Sequence, residues 1–301
     1  WASGTIYRGS ANSLGQRHWF STESYSLDYS LITKDEKMVK GNYAGSNWDQ
    51  NDFENHIYHK KEQLEIMKLA AKIIDPGKYR ICLAPAAVAD IIDMFSWGGL
   101  GEASIQQGES SLCTMRRENI KFSPLVNLSE DYRSGMVPRF NSDGEICPET
   151  LSLFKNGNLE NTLISTRTAK EYNCISNYAE EGEYLRTPVM ESGDIKENDV
   201  LKEIDNGLYL SNLHYLNWSD RIGGRITGMT RYACFVVKNG EIIAPIENMR
   251  FDDSIYNIFG NKLIGVTKNS EFIPDVGTYG GREPGGSQVP GLLIDKFTLT
   301  L

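Results

Sequence analysis

The sequence has few of the features that mark a membrane protein or a nucleic-acid-binding protein. No run of 18 apolar residues occurs among its 301 residues, so we expect no membrane-spanning helix. Acidic residues number 40 against 31 basic ones, which gives a formal net charge of −9. Phosphate recognition needs clustered Lys and Arg, whereas the basic pair Arg116-Arg117 is followed at once by Glu118. We therefore expect no direct binding to nucleic acid and no membrane attachment.

Cysteine is also scarce, and nothing in its spacing indicates a disulfide framework or a metal site. The five cysteines are an odd number, are widely scattered and form no C-x-x-C pair. This usage is typical of buried thiols in a reducing compartment. The sequence therefore predicts a cytoplasmic protein in which the following residues are free: Cys82, Cys113, Cys147, Cys174 and Cys234.

The sequence contains only four histidines and no G-x-S-x-G nucleophile motif. His56 and His59 lie three residues apart, with Glu62 three residues further on, a spacing that could seat a metal ion on a helix. The same segment is rich in Lys and Glu, which favours a solvated helix face. The acidic pairs Glu130-Asp131 and Asp252-Asp253 are interpreted as solvated turns rather than as a glycosidase pair. These patterns predict no catalytic residue.

The periodicity of the chain predicts an α+β fold with a mainly antiparallel, barrel-like sheet and a few packed helices. Apolar and polar residues alternate over 25–31, which is typical of a half-buried strand. Residues 53–74 switch to helical period, and Pro85 is expected to open a second helix. No regular βαβ alternation is visible. We expect a central segment of strands and two helices at 1–120 and a β-rich domain at 121–301.

The most informative stretch extends from Gly207 to Arg250. A glycine-punctuated loop at 223–228 precedes a predicted β-hairpin, in which Asn239-Gly240 supplies the two positive-φ residues of a type I′ turn. Residues 241–246 are expected to return as the second strand. A hairpin of this kind occurs in many β proteins, so its surroundings must supply the specificity.

Several blocks around this hairpin resemble, in the correct order, the TldD/PmbA family, whose best-known members form a bacterial metalloprotease. The blocks include PGKYRICLAPAAVADII at 76–92, KNGNLENTLISTRTAKEY at 155–172 and NGEIIAPIENMR at 239–250. The family's own N-terminal α/β domain would precede the start of this chain, which begins Trp1-Ala2-Ser3 without a methionine. The resemblance thus implies a piece of a longer protein.

The resemblance also locates a lost metal motif. TldD-type members carry His-Glu-x-x-x-His on the helix after the strand that ends in L-x-P, and the Glu activates water beside the metal. An ungapped alignment from Pro85 places Asp93 and Gly98 at the two histidines and Met94 at the glutamate. The chain therefore resembles the TldE/PmbA type, in which the paired subunit holds the metal. We expect no metal and no cofactor in this chain.

A glycine-rich run at 277–286 falls where the metal-bearing members place their third ligand, a cysteine. Glycines would let a peptide backbone approach closely, although a mobile surface loop is the simpler interpretation. The candidate residues for a peptide or cavity loop are Gly277, Gly280, Gly281 and Arg282.

The resemblance implies a non-catalytic subunit of a cytoplasmic metalloprotease that acts on peptides or unfolded proteins. Such a subunit would pair with a TldD-like, metal-bearing partner and contribute dimer interface and cavity wall. Two alternatives stay open at this stage. One is a homodimeric peptide-binding or scaffold protein without protease activity. The other is a regulator of the kind historically labelled a modulator of DNA gyrase, which the acidic composition makes doubtful as a direct DNA binder.

Overall fold

The computed structural model describes residues 1–277 and 282–301, in which strands predominate over helices. An N-terminal antiparallel sheet contains β1 (Ala2–Ala11), β2 (Arg17–Ile32) and β3 (Met38–Gly45). Within the described ranges there are six α-helices: α1 (Gln50–Met67), α2 (Pro85–Asp93), α3 (Glu102–Gln106), α4 (Cys113–Glu118), α5 (Thr166–Tyr172) and α6 (Val200–Ile204). The predicted α+β class is confirmed.

A second sheet, with 13 strands in the part of the chain that the structure describes, forms the body of the molecule. Its strands are β4 (Gly77–Leu83), β5 (Leu128–Asp131), β6 (Thr150–Lys155), β7 (Asn158–Leu159), β8 (Pro188–Met190), β9 (Gly207–Leu210), β10 (Asn212–Asp220), β11 (Arg225–Arg231), β12 (Phe235–Lys238), β13 (Glu241–Pro245), β14 (Arg250–Ser254), β15 (Leu263–Pro274) and β16 (Gly286–Leu299). The pairings are mainly antiparallel, as predicted, but β4 runs parallel to β9 and β8 runs parallel to β16.

The predicted barrel-like closure is wrong, because both sheets are open. The main path of the large sheet runs β13-β12-β9-β4-β16-β8-β5-β6-β7. One end is β7, which has only two residues, and the other is β13, which ends at Pro245. A proline has no N–H for a further ladder, and a two-residue strand offers little to pair with. Neither end is suited to closing the sheet.

The hairpin predicted around Asn239-Gly240 is confirmed. β12 pairs with β13 in antiparallel register, and the two turn residues have φ of +53° and +76°. This left-handed geometry at both positions is what a type I′ turn requires. The division of the chain at residue 120 stays a prediction; β4 and β16, on its two sides, pair in one sheet.

The helix predicted over 53–74 is shorter and starts earlier, at Gln50. The Asp49 carboxylate caps it by accepting a hydrogen bond from the Asp52 N–H (3.0 Å). The helix ends at Met67, and the backbone N–H of Lys72 donates to Pro245 O (2.8 Å) in a bridge to the large sheet. Tertiary pairing thus overrides the helical period beyond Met67.

The core lies between α2 and the large sheet, where α2 packs against β10, β15 and β16. Pro85 stands in the first turn of α2, where its missing N–H costs no hydrogen bond. The next layer is an aromatic cluster with ring centroids 4.9 to 6.4 Å apart, formed by Phe95, Phe122, Phe154 and Phe259. This packing fixes the carboxyl end of α2, where the degenerate motif begins, that is, residues 93–98, which align with the family's metal motif.

Within the described residues, no helix is both long and apolar enough to cross a membrane.

Candidate functional site

The three positions of the degenerate motif diverge at the end of α2. Asp93 is the last residue of the helix and is exposed, whereas Met94 turns into the core with 5% of its surface exposed. Gly98 has φ of +79°, and a Cβ there would approach the Arg221 Cδ to 2.9 Å. A helix that ends at Asp93 cannot place the last motif position on the same face as the first.

These positions do not fit a zinc site of the family's kind. Such a site needs three protein ligands and an open position for water. The present residues offer one carboxylate, one buried thioether and one position without a side chain. Across residues 1–277 and 282–301, no group of three or more His, Cys, Asp or Glu side chains is arranged to hold a metal ion.

Asp93 instead lines a cleft of about 300 Å³ beside the ends of β15 and β16. Two further carboxylates line the same cleft, those of Asp90 and Asp275. The remaining described walls are mainly apolar or small and include Ala89, Leu185, Pro188, Ile273, Val276 and Gly286. The cleft therefore combines negative charge with an apolar surface, and none of its described lining residues is a histidine or cysteine.

Both helix carboxyls in the cleft hold protons more tightly than usual. Burial raises the pKa of Asp90 to about 7, although the Leu213 N–H that donates to its Oδ2 (3.3 Å) acts in the opposite direction. Although part of the Asp93 side chain faces solvent, the surrounding cleft reduces the hydration of its carboxyl; this desolvation, and then the neighbouring Asp275 carboxylate, raise the pKa of Asp93. Near neutral pH the negative charge of this cleft is thus only partly developed.

The cleft continues into a neighbouring cavity of about 440 Å³, with which it shares the Arg186 side chain. The guanidinium of Arg186 donates to Pro138 O (2.8 Å) and lies 3.6 Å from a Glu180 carboxylate oxygen. It also stacks over the Tyr132 ring, 5.5 Å from the centroid. Its charge is therefore engaged by the fold and is poorly placed to bind a free carboxylate.

The acidic pairs interpreted as solvated turns are largely buried, so that interpretation is wrong. Glu130 is 2% exposed and accepts hydrogen bonds from the backbone N–H groups of Arg186 and Thr187. Asp253 is 2% exposed and accepts from the Thr298 N–H (2.8 Å). Glu130 thus fixes the backbone that presents Arg186 to the cleft, a positioning role that the sequence did not reveal.

The glycine-rich run begins directly after Val276, which lines the cleft. The Gly277 N–H donates to Asp275 Oδ1 (2.8 Å), and Arg282 donates to the Ser24 Oγ (2.6 Å) on β2. Arg8 on β1 and Glu283 form a bidentate ion pair at 2.9 Å. The predicted residues Gly280 and Gly281 lie outside the described residues. Neither Gly277 nor Arg282 lines the cleft, so a role for them in peptide binding stays a prediction.

The histidines lie away from this cleft. His59 Nδ1 lies 3.3 Å from Glu62 Oε2 on the exposed side of α1, whereas His56 is partly buried, with its Nε2 atom shielded from solvent. Burial, assisted by Lys60, lowers the pKa of His56 to about 4. His18 stacks on Phe140 with ring centroids 5.4 Å apart.

Asp93 was predictable from the sequence, whereas its two acidic neighbours in the cleft, Asp90 and Asp275, were not predicted. The position of Asp90 could have been predicted, because it is a lone carboxylate between apolar residues of a helix whose inner face is buried. The position of Asp275 could not, because it is brought to α2 only by the strand pairing of β15 with β16.

The fold is similar to those of several solved structures, including the following three. The chain superposes on a candidate modulator of DNA gyrase from Thermotoga maritima with a TM-score of 0.79 at 17% identity, covering 98% of this chain and 67% of that one. A second candidate modulator of DNA gyrase, from Bacteroides thetaiotaomicron, gives 0.76 at 18% identity, covering 99% of this chain and 64% of that one. TldE from Thermococcus kodakarensis gives 0.74 at 15% identity, covering 99% and 67%.

The chain therefore spans about two thirds of the length of these proteins. A search of curated protein sequences finds no significant match. The sequence profile of the PmbA/TldA metallopeptidase C-terminal domain matches residues 76–301. This match extends over most of the chain, from β4 to the C-terminal residue, and the chain belongs to the PmbA/TldA family.

Proposed function

We propose that this chain is the non-catalytic, TldE/PmbA-like subunit of a cytoplasmic metalloprotease complex that acts on peptides or unfolded proteins. In such a complex it forms part of the dimer interface and of the wall that encloses the substrate. The observation that carries this proposal is the geometry at the end of α2. Met94 is packed into the core where a general base would stand, and Gly98 has no side chain where a ligand would stand.

The cleft supports a role as substrate wall. An extended peptide buries alternate side chains and leaves its backbone to pair or to be solvated, so it suits an elongated groove with apolar walls. The Asp93 cleft and the cavity beyond Arg186 are neighbours that share Leu185, Asp275 and Gly286 as well as Arg186, and we infer that together they offer such a groove. Its carboxyls would favour peptides with basic side chains over acidic ones.

The cytoplasmic assignment rests on the thiols. All five cysteines are free, and Cys82, Cys147 and Cys234 are buried. Burial raises the pKa of the Cys82 thiol to about 12, which keeps it protonated and unreactive. The net charge of −9 supports a partner that is a protein or peptide rather than nucleic acid.

The direct test is a cleavage assay on denatured casein with the chain alone, with a TldD-type subunit from the same genome, and with both mixed. We expect cleavage only in samples that contain the metal-bearing subunit, and a higher rate in the mixture. Metal analysis should find no stoichiometric zinc in this chain. Stoichiometric zinc together with cleavage by the chain alone would overturn the proposal.

A matched pair of variants locates the contribution of this subunit. Replacing the first motif histidine of the TldD-type partner should abolish cleavage in the mixture. Asp93→Asn in the present chain should leave kcat within about threefold, because it removes no group that touches the metal or the attacking water. A loss of kcat as large as that in the partner variant would show that this chain is catalytic.

Native mass spectrometry separates the proposal from a homodimeric scaffold. A heterodimer is expected when both subunits are present at micromolar concentration. Exclusive self-association, with no effect on cleavage by the TldD-type subunit, would favour the homodimeric peptide-binding protein.

A further inference from the structure

The N-terminal sheet has an outer edge that no described strand pairs with. β1 pairs with β2 through all ten of its residues without a bulge, and its other side faces no strand within the described ranges. Beyond the β2 ladder, two described side chains donate to its backbone: Arg8 to Tyr7 O (3.3 Å) and Arg282 to Gly4 O (3.5 Å). We call this outer side of β1 the β1 edge.

The strands at the ends of the large sheet are protected against further pairing, whereas β1 is not. β7 has only two residues, and β13 ends at Pro245, where Lys72 bridges to it. The register of β10 is broken between His214 and Asn217. β1 is long and regular, contains no proline and has Arg8 as its single charged residue. Such an edge is a template for another strand, so its chemistry fits an extended backbone as partner.

The charge around the β1 edge indicates which strand it suits. Residues 1–32, which contain β1 and β2, have two basic side chains (Arg8, Arg17) and two acidic ones (Glu23, Asp28), so their net charge is zero. The whole chain has a formal net charge of −9. Two copies therefore repel each other less through this hairpin than through the acidic remainder. A basic peptide, by contrast, is attracted to the remainder.

The sequence of β1, ASGTIYRGSA, is compatible with pairing to its own copy. The N–H and C=O groups of alternate residues point out from an edge, so in a two-fold antiparallel pair the numbers of opposed residues sum to an even number. The longest ladders of this kind are centred on Ile6 and on Tyr7, and they use residues 2–10 and 3–11. Both place small residues opposite small residues at the two ends, and neither places Arg8 directly opposite its copy.

The solvent-facing side of the hairpin adds aromatic surface next to the β1 edge. Tyr7 and Trp19 lie on it with ring centroids 5.6 Å apart, and they are 58% and 71% exposed. A two-fold axis perpendicular to the sheet brings both such pairs onto one face, and Tyr and Trp are enriched in protein interfaces. We propose that the β1 edge pairs in antiparallel fashion with the β1 edge of a second copy of this chain, which joins the two three-stranded sheets into one.

Sedimentation velocity of the whole chain tests this self-pairing. The interface is smaller than that of a standard complex, so we expect a Kd on the order of 10–100 µM and a concentration range of about 1 to 300 µM. Hydrogen exchange measured by NMR at both ends of this range locates the interface. At high concentration, exchange should slow for the alternate amides of β1 that do not donate to β2.

Tyr7→Glu and Tyr7→Lys form a charge-swap pair. In either register Tyr7 lies directly opposite or diagonal to its copy, so each variant alone brings like charges together. Each should weaken the dimer by about tenfold or more, and an equimolar mixture should recover to within about threefold of the wild type. A fold defect cannot produce this recovery. Tyr58→Glu and Tyr58→Lys make the same changes on α1, at a tyrosine that is 59% exposed, and should leave the dimer unchanged.

A chain that stays monomeric over this range would overturn the proposal. In that case, slower exchange of the β1 amides after addition of an extended peptide or of a TldD-type subunit would assign the β1 edge to that partner instead. A dimer that both Tyr7 variants leave intact, or one that gives no protection to the β1 amides, would also overturn it. These measurements need no cleavage assay, so this inference and the proposed function can fail separately.

Discussion

Replacing Asp90 with asparagine should stabilise the protein, and more so as the pH rises. The native pKa of about 7 lies far above the ordinary value of 3.8. Between these values the folded chain binds more protons than the unfolded chain, so stability falls as the pH rises. Below pH 3.8 both states hold the proton and the penalty is absent; above pH 7 it is fully developed. At 1.36 kcal/mol per pH unit the full penalty is about 4 kcal/mol.

Asparagine keeps the shape of the side chain and has no charge to bury. Its Oδ1 can still accept the hydrogen bond from the Leu213 N–H that Asp90 accepts. The stability gain of Asp90→Asn over the wild type should therefore grow by about 2–3 kcal/mol between pH 5 and pH 8.

Urea denaturation of both proteins at the two pH values measures this difference. Asp35→Asn, in the exposed turn between β2 and β3, is the matched control and should shift stability equally at both pH values. A gain for Asp90→Asn that is the same at pH 5 and pH 8, or that shrinks as the pH rises, would refute the reasoning.

Three further substitutions test the packing around the site by chemical denaturation. Gly98→Ala should lower the free energy of unfolding by about 1–3 kcal/mol, because φ is positive there and the Arg221 side chain packs against this position. Gly108 has a similar φ but open space around it, so Gly108→Ala should lower stability clearly less. Met94→Glu should destabilise by more than about 3 kcal/mol through a carboxylate in the core, without conferring cleavage. Glu102→Gln should lower the free energy of unfolding by about 2–4 kcal/mol, because it breaks the bidentate ion pair between the buried Glu102 and Arg116. The same change at the exposed Glu118, which pairs with Arg117, should alter stability by no more than about 0.5 kcal/mol.

The elements that follow from local patterns were predictable. The alternation of residues 25–31 identifies part of β2. Asn239-Gly240 identifies the turn between β12 and β13, because few residue pairs tolerate positive φ at both positions. Pro85 marks the start of α2. Where a segment pairs with a distant strand, as Lys72 does with Pro245, the local period misleads. The open form of the sheet is likewise a property of its two end strands, which no local pattern specifies.

The candidate site shows the same limit. The ungapped alignment from Pro85 identifies Asp93 because both lie on one helix. Its neighbour Asp275 is more than 180 residues away along the chain and reaches the cleft through the pairing of β15 with β16. The burial of Glu130 was also beyond a local pattern, since its two N–H donors belong to a distant segment at 186–187.

The contacts of Arg282 and Glu283 with the N-terminal sheet have a mechanical consequence. Arg282 donates a hydrogen bond to Ser24 on β2, and Glu283 forms an ion pair with Arg8 on β1. The same segment leads directly into β16, whose first residue, Gly286, lines the cleft. The β1–β2 hairpin is thus connected to the segment that enters β16 at the edge of the cleft, so we expect the loss of both contacts to affect the hairpin and the start of β16 together.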